Sequence, residues 1–193
     1  QHSTAEAEHV RASLGNRSAQ LALMQGDAAD MEWCLSLRDT ILTQYGALDL
    51  LVCNASPPIR PLAFEPEKLG QFQDFLTRSL ALVSAPMSTF LGLLANQAGW
   101  NIVLSSSFVK ELPAVFAHYV TAKFAVEGLV NWAAVQYPTV RHLLVRPPKL
   151  LTDQTNTTVG RQGAMAVEQV AASIVRQICQ SNQSQALQIM ETF

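Results

Sequence analysis

Short apolar runs alternate along the chain with longer segments whose apolar residues recur at helical intervals. The runs are Leu21-Ala22-Leu23-Met24, Leu48-Asp49-Leu50-Leu51-Val52, Ile102-Val103-Leu104, His142-Leu143-Leu144-Val145 and Ala186-Leu187-Gln188-Ile189-Met190, each of strand length. Between them, Ala5 to Leu14, Met31 to Tyr45, Pro66 to Asn96, Phe116 to Gln136 and Val167 to Gln180 read as helices, with Pro66 suited to a first helical turn. Strands that are apolar throughout, each followed by a helix, are what a parallel sheet covered on both faces requires. The pattern predicts an α/β protein with a doubly wound, mostly parallel sheet. With no internal repeat, low-complexity tract or Gly/Pro-rich linker, residues 1–193 read as one domain. The longest polar connection, residues 152–163, follows a strand's carboxyl end and borders the crevice where such sheets bind ligands. It reads equally as a substrate lid or an ordinary surface loop.

Composition narrows the partners. The 193 residues are 49% hydrophobic, enough for one substantial core, and only 15% charged, against about 25% in an average soluble domain. The net charge of −2 carries no long run of either sign, so phosphate-backbone binding has no electrostatic footprint. Nucleic acid is therefore not an expected partner. Cys34, Cys53 and Cys179 are odd in number and lack C-x-x-C spacing, which argues against a disulfide framework or thiolate metal site and fits a reducing cytoplasm. Residues 79–109 hold no charge, but Ser84, Pro86, Ser88, Thr89, Asn96, Gln97 and Asn101 interrupt them, so a buried helix rather than a membrane span is expected. His2, His9 and His142 show no metal-ligand spacing.

The chemistry concentrates in Ser106, Tyr119 and Lys123. Tyr119 and Lys123, four apart on a predicted helix, project from one face, and Ser106 lies just beyond a strand's carboxyl end. A phenol ordinarily ionises near 10 and shuttles a proton at neutral pH only when a neighbouring cation stabilises the phenolate. Lys123 can supply that cation. A Ser106 hydroxyl can hold a carbonyl or alcohol oxygen beside the phenol. Ser105-Ser106-Ser107 does not sit in the G-x-S-x-G elbow of a hydrolase nucleophile. His118 points about 100° away from Tyr119 on a helix, which predicts a substrate-rim or surface place for it. Phe108, Pro113, Val115 and Phe116 wall an apolar substrate pocket or belong to the core.

With Ser106 thirteen residues before the Tyr119 of Y-x-x-x-K, the sequence resembles the short-chain dehydrogenase/reductase family over nearly its whole length. Gly26-Asp27-Ala28-Ala29-Asp30 resembles the family segment bordering adenine, with Asp27 in the Asp position. Cys53-Asn54-Ala55-Ser56 resembles N-N-A-G, and Val145-Arg146-Pro147-Pro148-Lys149-Leu150-Leu151-Thr152 resembles the segment that meets the nicotinamide carboxamide. The resemblance implies hydride transfer between NADP or NAD and a carbonyl or alcohol, in the manner of a carbonyl reductase or alcohol dehydrogenase. Tyr119 would be the general acid/base, Lys123 would bind the nicotinamide ribose and lower the phenol's pKa, and Ser106 would orient the substrate oxygen. Asp27, Ala28, Asn54, Ala55, Ser56, Pro147, Leu150 and Thr152 would line the cofactor. A small-molecule carbonyl substrate is expected, with a ketoreductase-like unit acting on an acyl chain as one form.

Departures from the family pattern define the alternative. Ser79 stands where the family has a helix Asn, Ser56 and Pro148 replace glycines, and no G-x-x-x-G-x-G follows a first strand. Together they motivate a second reading, a catalytically silent structural or interaction domain that keeps the fold. In a sheet of order 3-2-1-4-5-6, Leu21 to Gln25 would be strand three and Leu48 to Val52 strand four. Strands one and two between them have no counterpart here. The missing part is expected upstream of Gln1 or from another polypeptide; the remaining possibility is direct pairing of strands three and four. Finally, the helices 66–96 and 116–136 are apolar on more than one face, which predicts a homo-oligomer or association with a related domain.

Overall fold

The computed structural model describes residues 3–152, 155, 161–180 and 185–193. Four strands, β1 (Leu50–Cys53), β2 (Trp100–Leu104), β3 (Arg141–Val145) and β4 (Leu187–Met190), form one parallel sheet in that order. The helices are α1 (Ser3–Ser13), α2 (Met31–Tyr45), α3 (Leu69–Gln97), α4 (Phe108–Glu111), α5 (Ala117–Gln136) and α6 (Val167–Gln180). The expected α/β class with a parallel sheet is thus observed. On one face Val103 and Leu144 pack with Val83, Met87, Leu91 and Leu94 of α3 and Val126 and Val130 of α5. On the other, Ile102, Leu143 and Val145 meet Ile174 and Ile178 of α6. Continuously apolar strands are needed because both faces of β2 and β3 are covered.

One expected strand does not form. Leu21 to Gln25 is irregular chain, with Leu23 and Met24 exposed. A strand is held by its ladder, and among the described residues this segment has no neighbour to supply one. Nor does it pair directly with β1, whose ladder partner is β2.

Local signals set the other boundaries. Asp30 caps α2 by accepting from the backbone of Glu32 and Trp33, and Gly46, at φ 76°, ends it in the left-handed conformation. Gly99 enters β2 so close to the chain before β1 that a Cβ there would lie 2.7 Å from the Asp49 carbonyl oxygen. The stretch from Pro66 to Gln97 is long and apolar enough to cross a membrane, but half of its apolar window is buried and α3 packs on the sheet and α5. Its second apolar face is also covered: Leu82, Val83, Met87, Phe90 and Leu94 are all buried. On α5, by contrast, Phe124, Trp132 and Val135 are exposed.

Candidate active site

Ser106 is placed by the end of the sheet. Beyond β2 the ladder continues for one residue, the Ser105 amide donating to the Val145 carbonyl at 2.7 Å, and the Ser107 amide then donates to the Pro147 carbonyl at 3.0 Å. The Ser106 Oγ accepts from the Phe108 amide at 3.2 Å, turning the chain into α4. From the other side, Tyr119 and Lys123 follow one another along one stripe of α5, as their spacing predicts. Ser106 and Tyr119 are both 8% exposed, and their hydroxyls lie within hydrogen-bonding reach of each other. The Lys123 Nζ lies 5.5 Å from the Tyr119 ring centroid and donates to the Leu104 carbonyl at 2.7 Å. The three predicted residues are therefore brought together at the carboxyl end of β2.

Burial governs the electrostatics of Tyr119 and Lys123. Burial holds the Tyr119 phenol above its ordinary range, and the Ser106 hydroxyl pulls against that shift. Burial also pushes the Lys123 ammonium down to about 8, opposed by the Glu127 charge. The Lys123 ammonium is directed at the Leu104 carbonyl, one turn along α5 from the phenol. Near neutral pH the arrangement is a protonated phenol beside a lysine still mostly charged, which is the protonation state of a proton donor.

Aromatic rings enclose the phenol. Phe108 and Phe75 stand edge-on to Tyr119, at centroid distances of 5.8 and 6.3 Å, and Phe116 packs on Phe108 at 5.4 Å. His118 is neither at a rim nor on the surface: it is 3% exposed, edge-on to Phe75 at 4.6 Å, and burial lowers its pKa. The helical angle correctly turns it from Tyr119, but α3 occupies the space it turns into.

The residues expected around a dinucleotide fall at the carboxyl ends of β1 and β3 and ahead of α2. Asn54, Ala55 and Ser56 are exposed immediately after β1. The Asp27 carboxylate accepts from the Ala29 amide at 2.9 Å and from Arg78 Nη2 at 2.8 Å, and Arg78 holds it below its usual range. The Ala28 carbonyl accepts from the Cys34 thiol. Pro147 is buried and tied to Ser107, while the Leu150 carbonyl and the Thr152 amide both bond the Thr155 hydroxyl. Most of the polar connection 152–163 lies outside the described residues. Ser79, in the place of the family's Asn, has a buried Oγ with no partner among the described residues. Among those residues no group of His, Cys, Asp and Glu could hold a metal.

Two charged residues of this region were not singled out from the sequence. Glu127 lies one turn beyond Lys123 and receives Arg146 in a two-pronged contact, Nε to Oε1 at 2.9 Å and Nη2 to Oε2 at 2.6 Å, plus the Ser105 hydroxyl at 2.6 Å. A signal existed: Lys123 and Glu127 are the only charged residues between Glu111 and Arg141.

The fold has solved counterparts. An alcohol dehydrogenase from the archaeon Thermococcus sibiricus, complexed with 5-hydroxy-NADP, superposes with a TM-score of 0.82 at 20% identity, covering 97% of this chain and 81% of that one. The KRED1-Pglu enzyme superposes with a TM-score of 0.69 at 18% identity, covering 89% and 73%. No curated protein matches the sequence. The pattern of the short chain dehydrogenase family matches residues 1–163. This chain belongs to the short chain dehydrogenase family.

Proposed function

We propose that the protein is a nicotinamide-dependent oxidoreductase acting on a carbonyl or alcohol, with Tyr119 as general acid/base, Ser106 orienting the substrate oxygen and Lys123 holding the nicotinamide ribose. The observation that carries this reading is the buried Ser106–Tyr119 hydroxyl pair with the Lys123 ammonium behind it, at the carboxyl end of a parallel sheet.

The residues present fit the nicotinamide end of a dinucleotide. Lys123 uses one donor on Leu104, leaving others for ribose hydroxyls, and the exposed Asn54–Ser56 backbone borders the same sheet edge. Pro147, Leu150 and Thr152 would face the carboxamide, and Asp27 with Ala28 the adenine. When bound, the cofactor supplies the hydride. In reduction the Tyr119 hydroxyl gives its proton to the carbonyl oxygen that Ser106 holds; in oxidation the phenolate takes it back. The charged lysine offsets the negative charge that the phenol acquires as its proton leaves. Phe75, Phe108 and Phe116 exclude water and suit an apolar substrate. We further propose that the exposed α5 face, Phe124 with Trp132 and Val135, is covered in a homo-oligomer, and that the enzyme works in the cytoplasm with its three cysteines free.

The alternative, a silent domain that keeps the fold, draws on Ser79, which lacks the reach of an amide side chain. Titration with NADH and NADPH, followed by quenching of tryptophan fluorescence and then by turnover of secondary alcohols and dicarbonyl probes, separates the two. Saturable binding with turnover supports the enzyme; absence of binding to either dinucleotide supports the silent domain.

A further inference from the structure

Glu127, the one carboxylate of α5, is 5% exposed. Its carboxylate is gripped by both prongs of Arg146, with side chains 7% and 17% exposed. Against an apolar replacement, a buried ion pair of this kind contributes little net stability, because desolvation offsets the attraction. What the pair does supply is geometry. Glu127 also receives the hydroxyl of Ser105, the residue immediately before Ser106. Arg146, immediately after β3, reaches on to Glu191 beyond β4, and Glu191 in turn takes Lys110 of α4. The turn bearing Ser106 is thereby fastened at both ends: at Ser105 through Glu127, and at Lys110 through Glu191. Between those fastenings lie Ser106 and Phe108, the two residues of the turn that meet Tyr119.

We propose that Glu127 is a positioning residue, which with Arg146 fixes the Ser105–Lys110 turn so that the Ser106 hydroxyl meets the Tyr119 phenol. This deepens the oxidoreductase reading and rests on it for its kinetic consequence, but not for its structural one. A misplacement of the order of 1 Å in a reacting group can cost about a hundredfold in rate. Glu127→Gln keeps the side chain's volume and an acceptor for Ser105 but loses the charge that holds Arg146. Ser105→Ala leaves the ion pair whole and cuts only its connection to the turn.

The test measures kcat, dinucleotide affinity and amide hydrogen exchange in the full chain. Glu127→Gln should lower kcat by about tenfold or more and Ser105→Ala by about threefold, with dinucleotide affinity within about twofold of wild type. Exchange should quicken in a peptide spanning residues 104–112 and stay unchanged over β1. Where Glu127→Gln does not fold, Ser105→Ala decides by the same readouts. Wild-type exchange and kcat in the folded variants would overturn the proposal, as would an exchange increase spread evenly over the sheet. If wild-type protein neither binds dinucleotide nor turns over, the oxidoreductase reading fails, and exchange over 104–112 alone still decides whether Glu127 fastens the turn.

Discussion

The carboxyl ends of β2 and β3 and the segment ahead of α2 are built from similar apolar runs with opposite outcomes. Leu143, Leu144 and Val145 have no exposed surface, being paired on both edges and covered on both faces, whereas Leu23 and Met24 lie in unpaired chain with much of their surface exposed. The difference is in partners rather than in residues: an apolar run becomes a strand only where neighbouring backbone closes its ladder. Chemistry follows the same division. Around β2, charges are buried and share partners; Asp27 and Arg78, near α2, form a pair that is almost half exposed.

Truncating one leucine in each region should show the largest contrast. Leu144→Ala is expected to cost about 2–5 kcal/mol in urea unfolding through its cavity, and Leu23→Ala less than about 0.5 kcal/mol. Equal losses would mean that the unpaired segment is as firmly anchored as β3. A smaller effect concerns Lys123. Between its folded pKa of about 8 and its ordinary 10.5, the unfolded chain binds the proton that the folded chain has released, so stability rises with pH across that window. At about 1.4 kcal/mol per pKa unit, the stability advantage of Lys123→Met over wild type should shrink by about 2 kcal/mol from pH 8 to pH 10. Parallel stability curves for the two proteins would refute burial as the cause. Smallest of all, Arg78→Ala should cost under about 1 kcal/mol and lose even that at high salt, because its pair with Asp27 is solvated. A larger loss would move the Asp27 turn into the rigid half of the comparison.

How much could be read beforehand divides along the same line. Helix periodicity located α2, α3, α5 and α6 to within a few residues, and the spacing of Ser106, Tyr119 and Lys123 found three side chains that the fold does unite. At Leu21 to Gln25 the apolar run predicts a strand where the chain is irregular, because periodicity reports burial preference and is blind to ladder partners. Spacing likewise places Lys123 near Tyr119, but the sign of each pKa shift is set by burial, which depends on α3 and α4 closing over the site. Arg146 and Glu127 stand 19 residues apart, and only the crossover from α5 to β3 brings them together.

In the proposed reaction the Tyr119 phenol moves the proton. Steady-state turnover of Tyr119→Phe, beside its dinucleotide affinity and urea midpoint, tests it most directly. The expected result is kcat lowered by about 10²–10⁴ with affinity and midpoint unchanged; turnover within about tenfold of wild type would rule out Tyr119 as the proton donor.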